Sequence, residues 1–348
     1  MDNDSLLSQD FEHILQNYDF SELMGKSVFI SGSTGLLGSQ LILFMDYLNQ
    51  TKDYGIKIYA LCRSEEKARR VFADVFSRIR VVLGDVLNLL SFTDSIDYLI
   101  HGASITASKE FINHAVETID IAVNGTLNML RFAKEKNVKS FVYLSSMEAF
   151  GVTDGKGEVR EEDLGYIDIS NPRSSYMESK RMCENLCVCF AFEYGLNIKS
   201  IRLAQTLGAG IDYNDSRVAA YFARSVIEKT DIVLKTEGKT KRPILYSSDA
   251  ISAILTVLLK GESGNVYTAA NPVTFTTIRE TAEMIVDKIS HNSIKLVFDI
   301  KEVPAEYVPN LNLNLNLNVD KLCSLGWKPE IGLLEAYEKL INAMRESK

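Results

Sequence analysis

The chain has 348 residues, a net charge of -8, 46% apolar residues and 24% charged residues. That length suits one large α/β unit with an appended lobe, and the lack of a basic stripe argues against nucleic acid as a partner. The start, MDNDSLLSQD, is too acidic and polar for a secretory signal, and runs such as AILTVLL (253–259) are too short to span a bilayer, so no membrane partner and a cytoplasmic location are expected. The cysteines are Cys62, Cys183, Cys187, Cys189 and Cys323. An odd count without an export signal predicts free thiols. Cys183, Cys187 and Cys189 lack the spacing of a common zinc site, so they read as small apolar residues and no metal is expected.

Residues 1–24 read as a helical or irregular arm. Strands are predicted at 27–31, 57–61, 79–83, 97–101, 140–146 and 198–203, separated by helices at 36–50, 64–76, 114–137 and 174–195. Short apolar strands alternating with helices predict βαβ units and a doubly wound, Rossmann-type parallel sheet. This dinucleotide-binding domain spans 25–207, with a later return near 244–270. Beyond 207 the rhythm loosens, and helices at 217–229, 249–260, 277–290 and 332–345 predict a smaller C-terminal substrate-binding lobe over 208–348. The alternation LNLNLNLN (311–318) favours a strand with one buried face, although asparagine is a poor strand former.

The stretch FISGSTGLLGSQL places Gly32, Gly35 and Gly38 between a strand and a helix, the context a dinucleotide turn requires. Gly32 permits the tight turn, Gly35 lets the backbone approach a pyrophosphate, and Gly38 allows close helix–strand packing. The second strand ends in IYALCRSEEK, with Arg63 where an acid would hold the ribose of NAD. A guanidinium there suits the 2′-phosphate of NADP, whereas internal recycling of the hydride favours NAD. Asp85, after VVLG, can accept a hydrogen bond from the adenine amino group.

Tyr176 and Lys180 form a Y-x-x-x-K pair on one helix face. An ammonium beside a phenol lowers the phenol's pKa, fitting it for acid–base work on a hydroxyl or ketone. Together with GSTGLLG, HGAS (101–104), GTLNML (125–130), YLSSMEAFG, RLAQTLGAG (202–210), KTKRPILYSSDA (239–250) and LGWKP (325–329), this pair makes the chain resemble the extended short-chain dehydrogenase/reductase family. Within that family it is similar to the nucleotide-sugar epimerases, 4,6-dehydratases and UDP-glucuronate decarboxylases, with NPRSSYMESKRMCENLC and YNDSRV most like the decarboxylases.

The resemblance implies an NAD(P)-dependent enzyme acting on a nucleotide sugar through a 4-keto intermediate. It puts the catalytic hydroxyl on Ser146, the proton acceptor on Tyr176 and the tuning ammonium on Lys180. It implies cofactor contacts from Ser33, Thr34, Leu36 and Leu37 in the turn, Val86 beside Asp85, and Ala103 and Ser104 after the fourth strand. Thr106, Met147, Asn171, Gln205, Arg217 and Arg242 fall where the family meets its substrate, Arg242 first and Arg217 second as grips for the diphosphate. A homodimer through the helices at 114–137 and 175–194 is a further implication. Three positions depart from the pattern: Ala122, Gln205 and Phe150.

Dehydrating members carry an Asp-Glu pair after the catalytic hydroxyl, where this chain has Met147 and Glu148. Methionine donates no proton, and loss of a general acid costs about 10²–10⁴ in rate, so dehydration is disfavoured. Glu148 is the candidate base. Decarboxylation needs no acid at C6, because a 4-keto-uronic acid is a β-keto acid. The readings left standing are a decarboxylase or epimerase, an NADPH-dependent keto-sugar reductase, and a dinucleotide-sensing scaffold that the intact Tyr-Lys pair disfavours.

Overall fold

The apolar runs of the first 200 residues pair into one sheet because both of its faces are covered, and continuous hydrophobic strands are stable only there. A computed structural model describes residues 5–88, 91–106, 110–153, 157–300 and 314–346. The strands are β1 (Ser27–Ser31), β2 (Lys57–Cys62), β3 (Arg80–Leu83), β4 (Tyr98–His101), β5 (Ser140–Ser146) and β6 (Ile198–Leu203). The helices among them are α1 (Leu6–Asn17), α2 (Leu36–Lys52), α3 (Glu65–Val71), α4 (Glu110–Asn113), α5 (Ala115–Lys136) and α6 (Ser174–Tyr194).

The second half holds β7 (Gln205–Leu207), α7 (Val218–Glu228), β8 (Ile232–Leu234), β9 (Lys241–Arg242), β10 (Ile244–Tyr246) and α8 (Ser247–Lys260). It continues with β11 (Val266–Ala269), β12 (Thr276–Thr277), α9 (Ile278–Met284), β13 (Leu296–Phe298), α10 (Asp320–Cys323) and α11 (Leu333–Glu346). The main sheet runs β11-β6-β5-β4-β1-β2-β3, and its pairs are parallel. The strand order reverses between β1 and β4, which opens a crevice at their carboxyl ends. The chain's return to the sheet is β11, beside β6. Three two-stranded ribbons, β10-β7, β12-β9 and β13-β8, build the second lobe.

Local signals account for the helix ends. Ser64 caps α3 by accepting from the Lys67 N–H at 3.2 Å, with Glu65 and Glu66 in the first turn. The helix stops at Val71, short of the predicted 76. α6 ends at Gly195 with φ 65, a left-handed position that glycine adopts without strain. The predicted helix at 277–290 is α9, started by a Thr277–Glu280 capping box, followed by a π-turn over Ile285–Ile289.

One apolar core lies under α1, α2 and α8, a second under α5 and α6, and a third inside the second lobe. Cys183 and Cys187 are buried in the second core, Cys189 is exposed, and all five cysteines are free. α1 is integrated rather than a loose arm. Phe11 and Ile14 enter the main core, and the buried Asp10 accepts from Tyr246 Oη at 2.8 Å and Lys339 Nζ at 2.7 Å. The described end of the Asn-Leu stretch forms an isolated bridge from Leu317 to Val159 rather than the expected strand; Leu315 and Leu317 are fully buried, but Asn318 is buried as well and breaks the alternation. Residues 311–313 lie outside the described residues. Among the described residues no helix is long and apolar enough to cross a membrane.

Lys199, on β6, is buried with Nζ donating to Ser140 Oγ at 2.8 Å, and burial lowers its pKa from 10.5 to about 8. Between those two pH values the unfolded chain binds the extra proton, so this lysine makes stability rise with pH from 8 upward. Lys180 shares the effect. Lys199→Met should therefore lower the slope of urea-unfolding free energy against pH between about 8 and 9.5, where the buried thiols of Cys183 and Cys187 pull the other way, and stabilise the protein at pH 7 by about 1–3 kcal/mol. An unchanged slope would refute the assignment.

Candidate active site

The glycine turn leaves β1 and enters α2. Gly32 has φ +70, and a Cβ there would sit 2.5 Å from the Gly102 carbonyl carbon. A Cβ on Gly38 would collide with the Gly32 carbonyl oxygen. Gly35, the N-cap of α2, is exposed, and a Cβ there would touch only Gly32 O at 3.3 Å. Two glycines are thus fixed by packing, and the third opens the backbone to a ligand. The first-turn amides of Leu36, Leu37 and Gly38 have no acceptor inside the helix, a favourable seat for phosphate. The Ser33 hydroxyl is committed to Leu61 O at 2.7 Å, so only its backbone is available; Thr34 is half-buried beside it.

Arg63 is exposed at the tip of β2, with no pairing partner among the described residues. Asp85 is half-buried past β3, and its Oδ1 accepts from the Leu87 N–H at 2.9 Å, which leaves Oδ2 for an incoming amino group. Val86 is buried, with its carbonyl accepting from Asn128 Nδ2 at 3.0 Å. Ala103 and Ser104 follow Gly102 on the same edge, and Thr106 is exposed beyond them. The open face at Gly35 and this row of polar groups along the strand ends fit a dinucleotide.

Ser146 ends β5. Its Oγ accepts from the Glu148 N–H at 3.2 Å, and its hydroxyl lies close enough to Tyr176 to favour the phenolate. Tyr176 and Lys180 are buried on one face of α6. Lys180 Nζ donates to Leu144 O at 2.8 Å and stands 4.8 Å from the Tyr143 ring centroid and 5.5 Å from that of Tyr176. Burial lowers the Lys180 pKa to about 8. The expectation that lysine lowers the phenol's pKa is overturned. The Tyr176 phenol is pushed well above its usual value, first by burial and then by the Glu148 carboxylate, against the opposing Ser146 hydroxyl, Arg173 and Arg217.

Glu148 is not a free base. Arg173 Nη1 and Nη2 reach its two carboxylate oxygens at 2.9 and 3.2 Å, a bidentate ion pair with Arg173 buried. Arg173 was missed in the sequence, although it stands three residues before Tyr176 in NPRSSY. Asn171 faces this arginine's backbone rather than an open pocket: its Oδ1 accepts from the Arg173 N–H at 3.0 Å. Phe111, on α4, was also missed. Its ring stacks on Tyr176 at 4.2 Å and 10°. No sequence signal marks it, since an aromatic in a short helix reads as core.

The remaining substrate candidates divide. Arg242, on β9, is half-buried with no hydrogen bond or ion pair among the described residues, and burial lowers its pKa while Glu148 opposes the fall. Gln205 is half-buried at the start of β7, in register with Ile244. Arg217 is a correction: Asp215 holds its guanidinium at 3.0 Å (Nε) and 2.7 Å (Nη2), so it is not a free grip. Met147 is another, because its side chain is 4% exposed and lies in the main core rather than toward a substrate. Among the described residues no group of His, Cys, Asp and Glu is arranged to hold a metal.

A glycine turn feeding a phosphate seat after β1, with Ser146, Tyr176 and Lys180 gathered at the end of β5 two strands away, is the arrangement of a dinucleotide-dependent enzyme. The sequence profile of the NAD dependent epimerase/dehydratase family matches residues 28–270, and the chain belongs to that family. UDP-glucuronic acid decarboxylase 1 of Danio rerio is 26% identical over 325 residues, 92% of this chain and 73% of the relative. UDP-glucuronic acid decarboxylase 3 of Arabidopsis thaliana is 26% identical over 314 residues, 88% of this chain and 86% of the relative. Solved structures share the fold. UDP-glucose 4-epimerase of Thermotoga maritima with UDP-glucose has a TM-score of 0.77 at 19% identity, covering 92% of this chain and 99% of that one. RMD of Pseudomonas aeruginosa complexed with NADPH has a TM-score of 0.71 at 21% identity, covering 93% and 100%.

Removing Arg173 leaves Glu148 half-buried without its counter-ion. Arg173→Ala should cost about 2–4 kcal/mol in urea unfolding. The double change with Glu148→Gln should cost at least about 1 kcal/mol less than the sum of the single changes. Additive losses would show that the two groups are not coupled.

Proposed function

We propose that the protein modifies a nucleotide sugar through a 4-keto intermediate, and that decarboxylation of UDP-glucuronate is the reaction its site suits best. The observation that carries this reading is the charge around Glu148. Arg173 grips that carboxylate, and the half-buried Arg242 also bears on it. Two guanidiniums for one carboxylate suit a substrate that brings anions of its own, a diphosphate and a uronate. The residue type at 147 adds support, because the position that carries the acid in dehydrating members holds a methionine, which donates no proton. The decarboxylase relatives, similar along most of the chain, point the same way.

In this reading Tyr176 accepts the proton of the C4 hydroxyl, and Ser146 holds that oxygen in line. The bound cofactor supplies hydride acceptance at C4 and its return. With C4 a ketone, the C5–C6 bond breaks, its electrons pass to the C4 oxygen and CO₂ leaves; C5 then takes a proton and Tyr176 gives its own back. Glu148 holds Arg173 in position rather than acting as a free base. Epimerisation of the keto-sugar uses the same machinery without loss of carbon. A net NADPH-dependent reductase is the second reading, favoured by the exposed Arg63 at the tip of β2.

Incubation of the purified protein with UDP-glucuronate should yield CO₂ and UDP-pentose, followed by mass spectrometry, with no net consumption of dinucleotide. NAD should be released when the protein is denatured. Unchanged substrate across UDP-, dTDP-, CDP- and GDP-sugars would sink the proposal, and stoichiometric NADPH consumption with a keto-sugar would favour the reductase.

The proposal extends to a homodimer. Val116 is 76% exposed on α5 and Phe192 is 93% exposed on α6, with Ile119 and Met182 also exposed on these helices. Apolar surface of this kind favours burial against a second copy. Val116→Glu with Phe192→Glu should give a monomer in sedimentation analysis. A native protein that sediments as a monomer would refute the dimer.

A further inference from the structure

We propose that Phe111 is a positioning residue for Tyr176: its ring holds the phenol flat, dry and aimed at Ser146. This rests on the reading of Tyr176 as the proton carrier. Three observations carry it. The two rings are 4.2 Å apart and within 10° of parallel, closer and flatter than the other described ring pairs in this molecule. Phe111 is itself 2% exposed, so its ring covers Tyr176 from solvent and is in turn covered. The Arg173 guanidinium lies 5.7 Å over the other partner in the stack, Phe111, while its fork holds Glu148. Arginine, phenylalanine and tyrosine thus form one contiguous pile.

The pile ties together separate pieces of chain. Phe111 comes from α4, Arg173 and Tyr176 from the start of α6, and Glu148 from the turn after β5. Ser175 Oγ donates to Phe111 O at 3.1 Å, which fixes α4 on α6 at the residue next to Tyr176. A tyrosine ring has two side-chain torsions to restrain. Packing of the Phe111 ring on one face, with α4 tied to α6 beside it, restrains both. Without the ring of Phe111, water reaches the phenol and the restraint is lost.

The charged and titratable groups that face Tyr176 are Glu148 from the turn after β5, Arg173 and Lys180 from its own helix, Arg217 before α7 and Tyr143 on β5. None of these groups is removed when Phe111 is replaced, and only Arg173 loses a contact, so the ring-keeping Phe111→Tyr separates the covering ring from the Arg173–Glu148 pair. Burial is the largest influence raising it. Admitting water favours the phenolate and lowers the pKa.

The test is a titration of Tyr176 in the intact protein by carbon NMR of labelled tyrosine, with Tyr176→Phe assigning the resonance. In Phe111→Leu and Phe111→Ala the phenol should titrate at least about one pH unit below the native protein, a tenfold change in its ionisation constant. Phe111→Tyr, which keeps the ring, should titrate like the native protein. With UDP-glucuronate as the probe, kcat of Phe111→Leu should fall at least tenfold and KM by no more than threefold either way. Phe111→Leu keeps the site apolar if the alanine variant fails to fold. An unchanged titration in Phe111→Leu, or an equal shift in Phe111→Tyr, overturns the proposal. A shifted titration without turnover of any nucleotide sugar leaves the positioning role standing and removes the proposed reaction.

Discussion

The molecule depends on one close approach of backbone to backbone. Where β1 turns into α2, Gly32 lies against Gly102 at the end of β4, and Gly38 lies against Gly32. A Cβ at either position has no room. The contact fixes the start of α2 directly over the reversal in strand order, so the helix's unpaired amides face the crevice. It also fixes where the chain leaves β4, and hence where Ala103 and Ser104 stand. Gly35, free of such contacts, is the part of the turn left open. Packing selects two of the glycines and access selects the third.

A second constraint is the match of step between α6 and β5. Four residues of helix rise about 6 Å, and two residues of strand about 6.6 Å. Tyr176 meets Ser146, and Lys180, one turn on, meets the carbonyl of Leu144, two residues back. Glu184, a further turn along, departs from this step: it reaches back to accept from the Ser145 hydroxyl at 2.5 Å and is gripped by Arg202 from β6. The two serines of the run therefore have separate places: Ser145 is tied into a buried ion pair, and Ser146 faces Tyr176.

What could be read from the sequence was what depends on neighbours along the chain. The glycine turn, the Tyr176–Lys180 face, the serine and glycine ends of α3 and α6, and the burial of Leu315 and Leu317 are local patterns of period or spacing. What escaped depends on segments distant in sequence. Phe111 meets Tyr176 across 65 positions of chain, as the two residue numbers show, and nothing in KEFIN announces it. Asp215 takes Arg217 locally, yet a guanidinium near YNDSRV reads equally well as free. The direction of the Tyr176 pKa was misjudged for the same reason. The i,i+4 lysine is visible in the sequence, whereas burial and the Glu148 carboxylate are not.

The Glu148–Arg173 pair limits how far the Glu148 carboxylate raises the Tyr176 pKa. Alone, a carboxylate beside Tyr176 would oppose the phenolate; alone, a buried guanidinium would favour it. Held together by two hydrogen bonds, they present Tyr176 with a dipole rather than a net charge. A dipole's field falls off faster than a charge's, so Arg173 offsets part of the rise that Glu148 causes, and burial remains the largest influence on where the proton rests. A phenol of raised pKa is a reluctant acid but, once ionised, a strong base. At neutral pH such a group rests protonated, so a role as proton acceptor requires its pKa to fall toward the ambient pH once the site is filled.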